Sequence, residues 1–407
     1  MRNETAVVGV GLTPVGKVPN VGVFDLHLLA IDRALADAGL ELGDIDGLIV
    51  AESRSGTIVE GTGRPPYYSD RVPPFHIHGP RLGEYFGLQL RYALTLGLGG
   101  ATTGQMVHIA AAAVAAGMAD RILVVSADDM YSNLGMDLAV KHVSESVSHP
   151  GYELPYNPSM PAYQALVARA YMERYGLSRE TLSKVAVTMR ANALRTPEAH
   201  MHGAGPLTTE DVEASRVIAT PLHLFDCAPV SDGGAALIVA SKAAADSASA
   251  PVWIRGAGQG HAHMYITQVE DITTNQGARL SGERAFTMAG VSPSDVDLLL
   301  LYDAFTIQVA ILLEDLGFVR AGGAGELIEG GEIELGGSMP VNSHGGLLSF
   351  GHPRRPGALF GHVEAVRQLR GDVPEERRVE GAALALVHSF GGPFDASNCT
   401  VIYERAA

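Results

Sequence analysis

A chain of 407 residues with 46% hydrophobic and 18% charged side chains is long enough to bury a large core and too apolar to be disordered. Its formal net charge of −16 leaves no basic surplus for nucleic acid or an anionic membrane, so any anionic ligand must be met by a few local arginines or lysines. Two cysteines, Cys227 and Cys399, are too few for a disulfide framework. The opening residues, MRNETAVVGVGLTPVGK, have no basic stretch followed by a long apolar run, so they do not read as a signal peptide. The longest apolar run, at 109–119, is too short and alanine-rich to span a bilayer. The expectation is a soluble cytoplasmic α/β protein.

Taken in chain order, the first punctuated segment is 33–48, RALADAGLELGDIDGL. It reads as a helix end closed by Ala38-Gly39, a short turn, and an acidic lead into an apolar strand at 47–51. Gly99-Gly100 then leads into a small-residue helix at 105–117 and a buried strand at 121–126. The alanine-rich stretch 109–116 is apolar nearly all round, as a helix held between two sheets must be. Residues 131–220 are more polar and irregular, with helical patterns at 163–175 and 179–192; a connection this long usually carries function. The small-residue run 241–250 bridges into a second half.

That half opens with a copy of the first. Segment 284–299, RAFTMAGVSPSDVDLL, matches 33–48 without gaps at seven of sixteen positions: Arg, Ala, Ala, Gly, Asp, Asp and Leu. A strand at 298–302 follows, then Gly345-Gly346, a helix at 359–369 and a strand at 382–388, in the order of the first half. Apolar strands alternating with helices predict parallel sheets covered on both faces. Two such halves sharing central helices give five layers, αβαβα. The halves are placed at 1–240, including the loop region 131–220, and at 241–407.

Several patterns suggest chemistry that their context does not support. His76/His78, His200/His202 and His261/His263 could each present two ligands from a strand, but no carboxylate or third histidine stands at a familiar metal spacing, so no metal is expected. Gly9-Val-Gly11 and Gly256-Ala-Gly258-Gln-Gly260 fall short of a dinucleotide fingerprint, the first running into Leu-Thr-Pro rather than a helix.

Six segments together resemble the thiolase superfamily, in its sterol-carrier-protein-2 and lipid-transfer-protein-like branch: AVVGVGLTPVGK (6–17), ARAYMERYGLSRETLSKVAVTMRANALRTP (168–197), FDCAPVSDGGAALIVAS (225–241), LYDAF (301–305), NSHGGLLSFGHP (342–353) and LVHSFGG (386–392). The likeness covers essentially the whole chain. It implies the two-half thiolase fold, a CoA thioester substrate, a homodimer, and no cofactor beyond the CoA of the substrate. The family pattern Cys-x-Ser-Gly falls on Ala101-Thr102-Thr103-Gly104, with alanine in place of the nucleophilic cysteine. Thr102 or Thr103 could act as nucleophile only beside an activating base; the plainer reading has them capping the helix.

By the same resemblance His352, in Gly351-His352-Pro353, donates a hydrogen bond to the thioester oxygen, where charge collects as an enolate forms. Tyr302 stands where thiolases carry the Asn of Asn-Glu-Ala-Phe or the His of His-Asp-Cys-Phe. It is either a proton donor or acceptor, or packing. Asp303 and Asn342 would hold the site loops. His388 falls near the family's second cysteine and resembles the branch's Gln-His-Asn segment, as an acid or base. Ala101, Thr102, Gly351, Gly391 and Gly392 would line the oxyanion and substrate site, the last two bringing backbone amides close to the substrate. Cys227, flanked by proline, is read as structural rather than reactive, and Cys399 as core.

A site without a covalent acyl carrier that still binds a CoA thioester and steadies its enolate suits retro-aldol cleavage of a β-hydroxyacyl-CoA. The resemblance includes a subgroup that lacks the cysteine, cleaves steroid side chains as CoA thioesters, and works with an OB-fold partner of the DUF35 type. Its best-known members replace the Gly-His-Pro histidine, which this chain keeps. Two rivals stand beside this reading: an acyltransferase or condensing enzyme with a substitute nucleophile, and a non-catalytic acyl-CoA or lipid-binding scaffold subunit.

Overall fold

The structure, a computed structural model, describes residues 2–54, 76–77, 79–134, 141, 143–145, 147–392 and 396–406. Among them, nine strands form one main sheet: β1 (Thr5–Leu12), β2 (Gly47–Ala51), β3 (Tyr92–Leu96), β4 (Arg121–Asp128), β5 (Gly233–Ser241), β6 (Val252–Gly260), β7 (Leu298–Leu300), β8 (Leu384–Gly391) and β9 (Ser397–Arg405). The longer helices are α1 (Val23–Ala38), α2 (Thr102–Ala115), α3 (Met160–Tyr175), α4 (Arg179–Leu194), α5 (Gln276–Ala289), α6 (Thr306–Asp315) and α7 (Gly357–Arg370).

The strand order, β7-β8-β9-β6-β1-β5-β4-β2-β3, reads outward in the same way from a central seam. On one side run β1, β5, β4, β2 and β3. On the other run β6, β9, β8 and β7, followed by a single parallel bridge from Leu299 to Val341 where a fifth strand would lie. The seam itself is short, with Ala6 opposite Trp253 and Val7 opposite Val252.

Strand direction departs from the expectation of parallel sheets. Only β2–β3, β2–β4 and β7–β8 are parallel; β1–β5, β4–β5, β6–β9 and β8–β9 are antiparallel. The continuous apolar runs report burial on both faces, and β5 and β9 are covered on both faces whichever way they run. Hence the pattern fixed the layering but not the direction.

Five layers are present. Between the half-sheets lie α2 and α7: Met106, Val107 and Ala110 of α2 and Leu359, Val363 and Val366 of α7 pack on Ile49, Val124 and Leu237 from one half and Leu300, Val387 and Val401 from the other. The outer face of the first half is covered by α1, through Ala30, Ile31 and Ala34. The outer face of the second half carries α5 and α6, and also α3 and α4, whose Tyr171, Val185 and Met189 join the same cluster as Ile307 and Leu386. The region 131–220 is thus inserted in the first half of the chain but packs on the second. Arg179 of α4 is tied there through Asp226, whose carboxylate also accepts the Thr306 hydroxyl at 2.8 Å.

The identities in the repeat do matching work. Arg33 and Arg284 each donate to a carbonyl at the end of the preceding strand, Leu12 and Gln259. Ala38-Gly39 and Ala289-Gly290 close α1 and α5, both glycines at φ 65°. Asp44 and Asp295 accept the amide three residues back. Asp46 accepts the amides of Asp120 and Arg121 at the mouth of β4, while Asp297 accepts those of Ala383 and Leu384 at the mouth of β8. The glycines that fell short of a dinucleotide fingerprint let helix meet strand: a Cβ on Gly11 would stand 2.6 Å from the Ala34 nitrogen, and one on Gly258 2.8 Å from that of Ala285.

Candidate active site

Four chain segments meet at the first turn of α2: residues 98–101, 301–305 after β7, 342–353, and 391–392 at the end of β8. Ala101 ends the 3-10 turn Gly99–Ala101 and is fully buried. The Thr102 hydroxyl accepts the Leu98 amide at 2.8 Å and donates to the Gly99 carbonyl at 2.6 Å, so it locks the turn that opens the helix. The Thr103 hydroxyl reaches the Arg355 carbonyl at 3.5 Å. Both hydroxyls meet backbone, but neither caps α2 as expected: its N-cap is Ala101, with no side-chain cap hydrogen bond. Gly391 lies directly on this turn; a Cβ there would stand 2.3 Å from the Leu98 oxygen and 2.9 Å from the Ala101 nitrogen. Gly392 follows at φ 93°, and a Cβ there would meet Ala396 at 2.7 Å rather than the turn.

Tyr302 and His352 form a pair. The phenol oxygen and Nε2 are 3.2 Å apart, and the rings stand nearly perpendicular, at 88°. Phe390 packs edge-on against the other side of Tyr302, with centroids 5.7 Å apart. Gly100, which the sequence reading did not single out for the site, makes the placement possible: a Cβ there would be 2.4 Å from the phenol oxygen. Burial holds the Tyr302 phenol well above its usual range, and the Asp303 charge adds to this. Burial likewise lowers the His352 imidazole to about 4, helped by the Arg354 charge. At neutral pH the pair is therefore a neutral phenol beside a neutral imidazole. Such a pair can give a proton to a developing oxyanion and take one from a hydroxyl.

Asp303 and Asn342 both hydrogen-bond backbone of the loops that carry the pair. Asn342 clamps the peptide preceding Tyr302, accepting the Leu301 amide at 2.8 Å and donating to its carbonyl at 2.9 Å. Asp303 accepts the Leu347 amide at 2.6 Å, which ties the tyrosine loop to the histidine loop. Its other oxygen, Oδ2, is buried without a hydrogen-bond partner among the described residues, and desolvation raises the carboxyl to about 8. Beneath the loop, Glu364 accepts from Ser343 at 2.5 Å and pairs with buried Arg377. Gly351, at φ 133°, has Val15 and Ser231 so close that a Cβ would stand 2.6 Å from the valine Cγ1.

His388 is placed differently. Its Nδ1 meets the Thr400 hydroxyl at 2.9 Å and its Nε2 meets Asn398 Oδ1 at 3.2 Å, both on β9, so neither nitrogen is directed at Tyr302 or His352. Burial lowers it to about 4. It does line, with Tyr302, Asp303, Asn342 and His344, a small cavity behind the pair. Cys227 bonds weakly to the His223 carbonyl at 3.6 Å, and burial pushes its thiol up to about 12, far from a thiolate. Cys399 is fully buried in the central core.

The histidine pairs separate. His200 contacts Ser231, and His261 contacts Ser397 and Gln259 on the surface. The pair His76/His78 lies outside the described side chains. Among the described residues, no three of His, Cys, Asp or Glu gather as a metal site. No helix among them is long and apolar enough to cross a membrane.

The family described as "Thiolase C-terminal domain-like" matches residues 258–405. A steroid side-chain-cleaving aldolase from Thermomonospora curvata is 34% identical over 91% of each chain. A 17-hydroxy-3-oxo-4-pregnene-20-carboxyl-CoA lyase from Mycobacterium tuberculosis is also 34% identical, over 91% of this chain and 92% of its own. An acetyl-CoA acetyltransferase from Methanothermobacter thermautotrophicus is 30% identical over 96% of both. Among solved structures, that of an Ltp2-ChsH2(DUF35) aldolase superposes with a TM-score of 0.83 at 31% identity, covering 99% of this chain and 98% of that one.

Proposed function

The chain belongs to the thiolase superfamily, in its sterol-carrier-protein-2 and lipid-transfer-protein-like branch, and from that premise we propose that it is a carbon–carbon lyase acting on a CoA thioester. The substrate is a β-hydroxyacyl-CoA with a steroid or other lipid side chain, and the reaction is a retro-aldol cleavage. One observation carries the reading: a methyl group, Ala101, occupies the nucleophile's place, while the Tyr302–His352 pair stands intact beside it.

In this reaction the neutral His352 imidazole takes the proton of the β-hydroxyl. The hydroxyl carbon becomes a carbonyl as the Cα–Cβ bond breaks, and its electron pair moves into the thioester as an enolate. The Tyr302 phenol, kept neutral by burial, donates to the enolate oxygen, with the amides of the Ala101 turn and of Gly391 within the same space. The imidazolium returns its proton to Cα, which releases a shortened acyl-CoA and a ketone or aldehyde, and no proton is gained or lost overall. His388, held by β9, supports the floor of the site. An OB-fold partner of the DUF35 type and a second copy of the chain complete the assembly.

The acyl-transfer alternative, which the acetyltransferase relatives favour, has no thiolate at residue 101, and the neighbouring threonine hydroxyls are engaged by backbone. The deciding assay incubates the chain, with and without an OB-fold partner, with β-hydroxyacyl-CoA thioesters, and follows release of acetyl- or propionyl-CoA. Release is expected from the native chain. If nothing is released with the partner present, while Ala101→Cys thiolyses a β-ketoacyl-CoA, the lyase reading fails. Tight acyl-CoA binding with no turnover in either assay would instead establish a scaffold.

A further inference from the structure

The His200-x-His202 motif reads from sequence as two loop histidines, yet the structure separates them. His202 is exposed, whereas His200 is half-buried at a junction of four chain segments. Its backbone amide donates to the Phe350 carbonyl at 2.8 Å, and the next amide, Met201, donates to the Ser349 carbonyl at 3.1 Å. Its imidazole Nδ1 lies 2.9 Å from the Ser231 hydroxyl. The same hydroxyl accepts the backbone amide of His352 at 3.1 Å, and the Ser231 amide donates to the His352 carbonyl at 3.3 Å. Behind them Gly16 exchanges backbone hydrogen bonds with Asp232, and a Cβ on Gly16 would stand 3.1 Å from the His200 ring. The loop that bears His352 is therefore held at two places, at the His352 peptide by Ser231 and at Ser349 and Phe350 by the amides of Met201 and His200.

The proton directions follow from the partners. The Ser231 oxygen already accepts from His352, so its own proton is free to be given. Nδ1 of His200 at 2.9 Å is a nearer acceptor than the Pro229 carbonyl at 3.4 Å. Desolvation favours the neutral form of His200, which leaves Nδ1 able to accept. A one-way chain results: the His352 amide gives to Ser231, and Ser231 gives to His200. With its rotor held by two partners, the hydroxyl keeps one direction, and the His352 backbone keeps one position.

We propose that His200 and Ser231 are positioning residues for His352, fixing where its imidazole stands relative to Tyr302. Neither touches the reacting atoms; each acts through the His352 peptide. The inference rests on reading His352 as the group that handles the proton, since a displacement of about 1 Å there costs turnover on the order of 100-fold. It also connects the 131–220 region to the chemistry, because His200 belongs to that region and His352 does not.

The experiment compares the full-length native chain with Ser231→Ala, His200→Phe and His200→Asn. It measures β-hydroxyacyl-CoA cleavage with the partner present, together with imidazole resonances of 15N-histidine-labelled protein, the His352 signal being assigned by its loss in His352→Gln. Asn places Oδ1 near the position of Nδ1 and so can still accept from Ser231. In Ser231→Ala and His200→Phe, kcat is expected to fall about 10- to 100-fold with KM within about twofold, and the His352 resonances to shift. His200→Asn is expected to recover most of the rate and the native shifts. The proposal is overturned if folded His200→Phe and Ser231→Ala keep native His352 resonances, or if His200→Asn is no better than His200→Phe. If the native chain itself turns nothing over, the lyase reading fails, and the resonances alone still decide the positioning.

Discussion

At the first turn of α2 the difference between a covalent and a non-covalent mechanism is a single side chain. Ala101 cannot carry an acyl group, so in the proposed lyase reaction the chemistry falls to the phenol and imidazole held 3.2 Å apart. Tyr302→Phe removes the hydroxyl while leaving the ring against Phe390. Turnover is expected to drop about 100- to 1,000-fold, with the melting temperature moving by less than about 3 °C; a rate within threefold of native would remove Tyr302 from the reaction. Asp303 gives a second test, through pH. Its carboxyl is raised from 3.8 to about 8, so across that interval the folded chain holds a proton that the unfolded chain has lost. Stability contributed by this group is present at low pH and is lost as pH rises toward about 8. Asp303→Asn keeps an acceptor for the Leu347 amide and cannot ionise, so its melting temperature at pH 8 should exceed that of the native chain, with the gap narrowing as pH falls and closing only near pH 4. Equal curves for the two proteins would show that the carboxyl is not perturbed. The residue types at 101, 302, 303 and 352 were all legible in the sequence. The missed ones, Gly100 and Ser231, carry no signal of their own, because each matters only for what another segment brings against it.

At the scale of elements, the duplicated helix–turn–strand unit was readable because its punctuation is local. A left-handed glycine, a turn aspartate and a strand-mouth aspartate each satisfy backbone groups within or beside the same unit. If the two copies are physically equivalent, equal changes should have equal costs. Gly39→Ala and Gly290→Ala each place a Cβ at φ 65°, and each should destabilise by about 1–2 kcal/mol in denaturant unfolding, the double variant adding the two. A neutral result at one glycine would break the equivalence. Strand direction was not readable. The long runs in β4, β5, β8 and β9 are buried on both faces, and an apolar strand between two helical layers looks the same whether its neighbour is parallel or antiparallel. His388 shows the same limit: its position in β8 was evident, but its partners Thr400 and Asn398 sit across the ladder on β9.

For the whole molecule, the two half-sheets share α2 and α7, so neither half owns a complete core. Buried titratable groups are spread through these layers. His27, His344, His352 and His388 are lowered by desolvation from 6.5 to about 4, and His362 to about 3. Below 6.5 the unfolded chain takes up protons that the folded chain refuses, so stability is lost as pH falls from 6.5 toward about 4. Urea midpoints should decline steadily between pH 7 and pH 5; a flat profile down to pH 5 would mean that these histidines reach solvent. The chain's order of elements, its duplication, its family and the missing nucleophile were determined by sequence alone, since each is a matter of residue type and local spacing. Which histidine meets Tyr302, and how His200 and Ser231 come to hold the loop of His352, were decided only by the tertiary structure, because those contacts join residues 31 to 150 positions apart whose meeting depends on how the five layers stack.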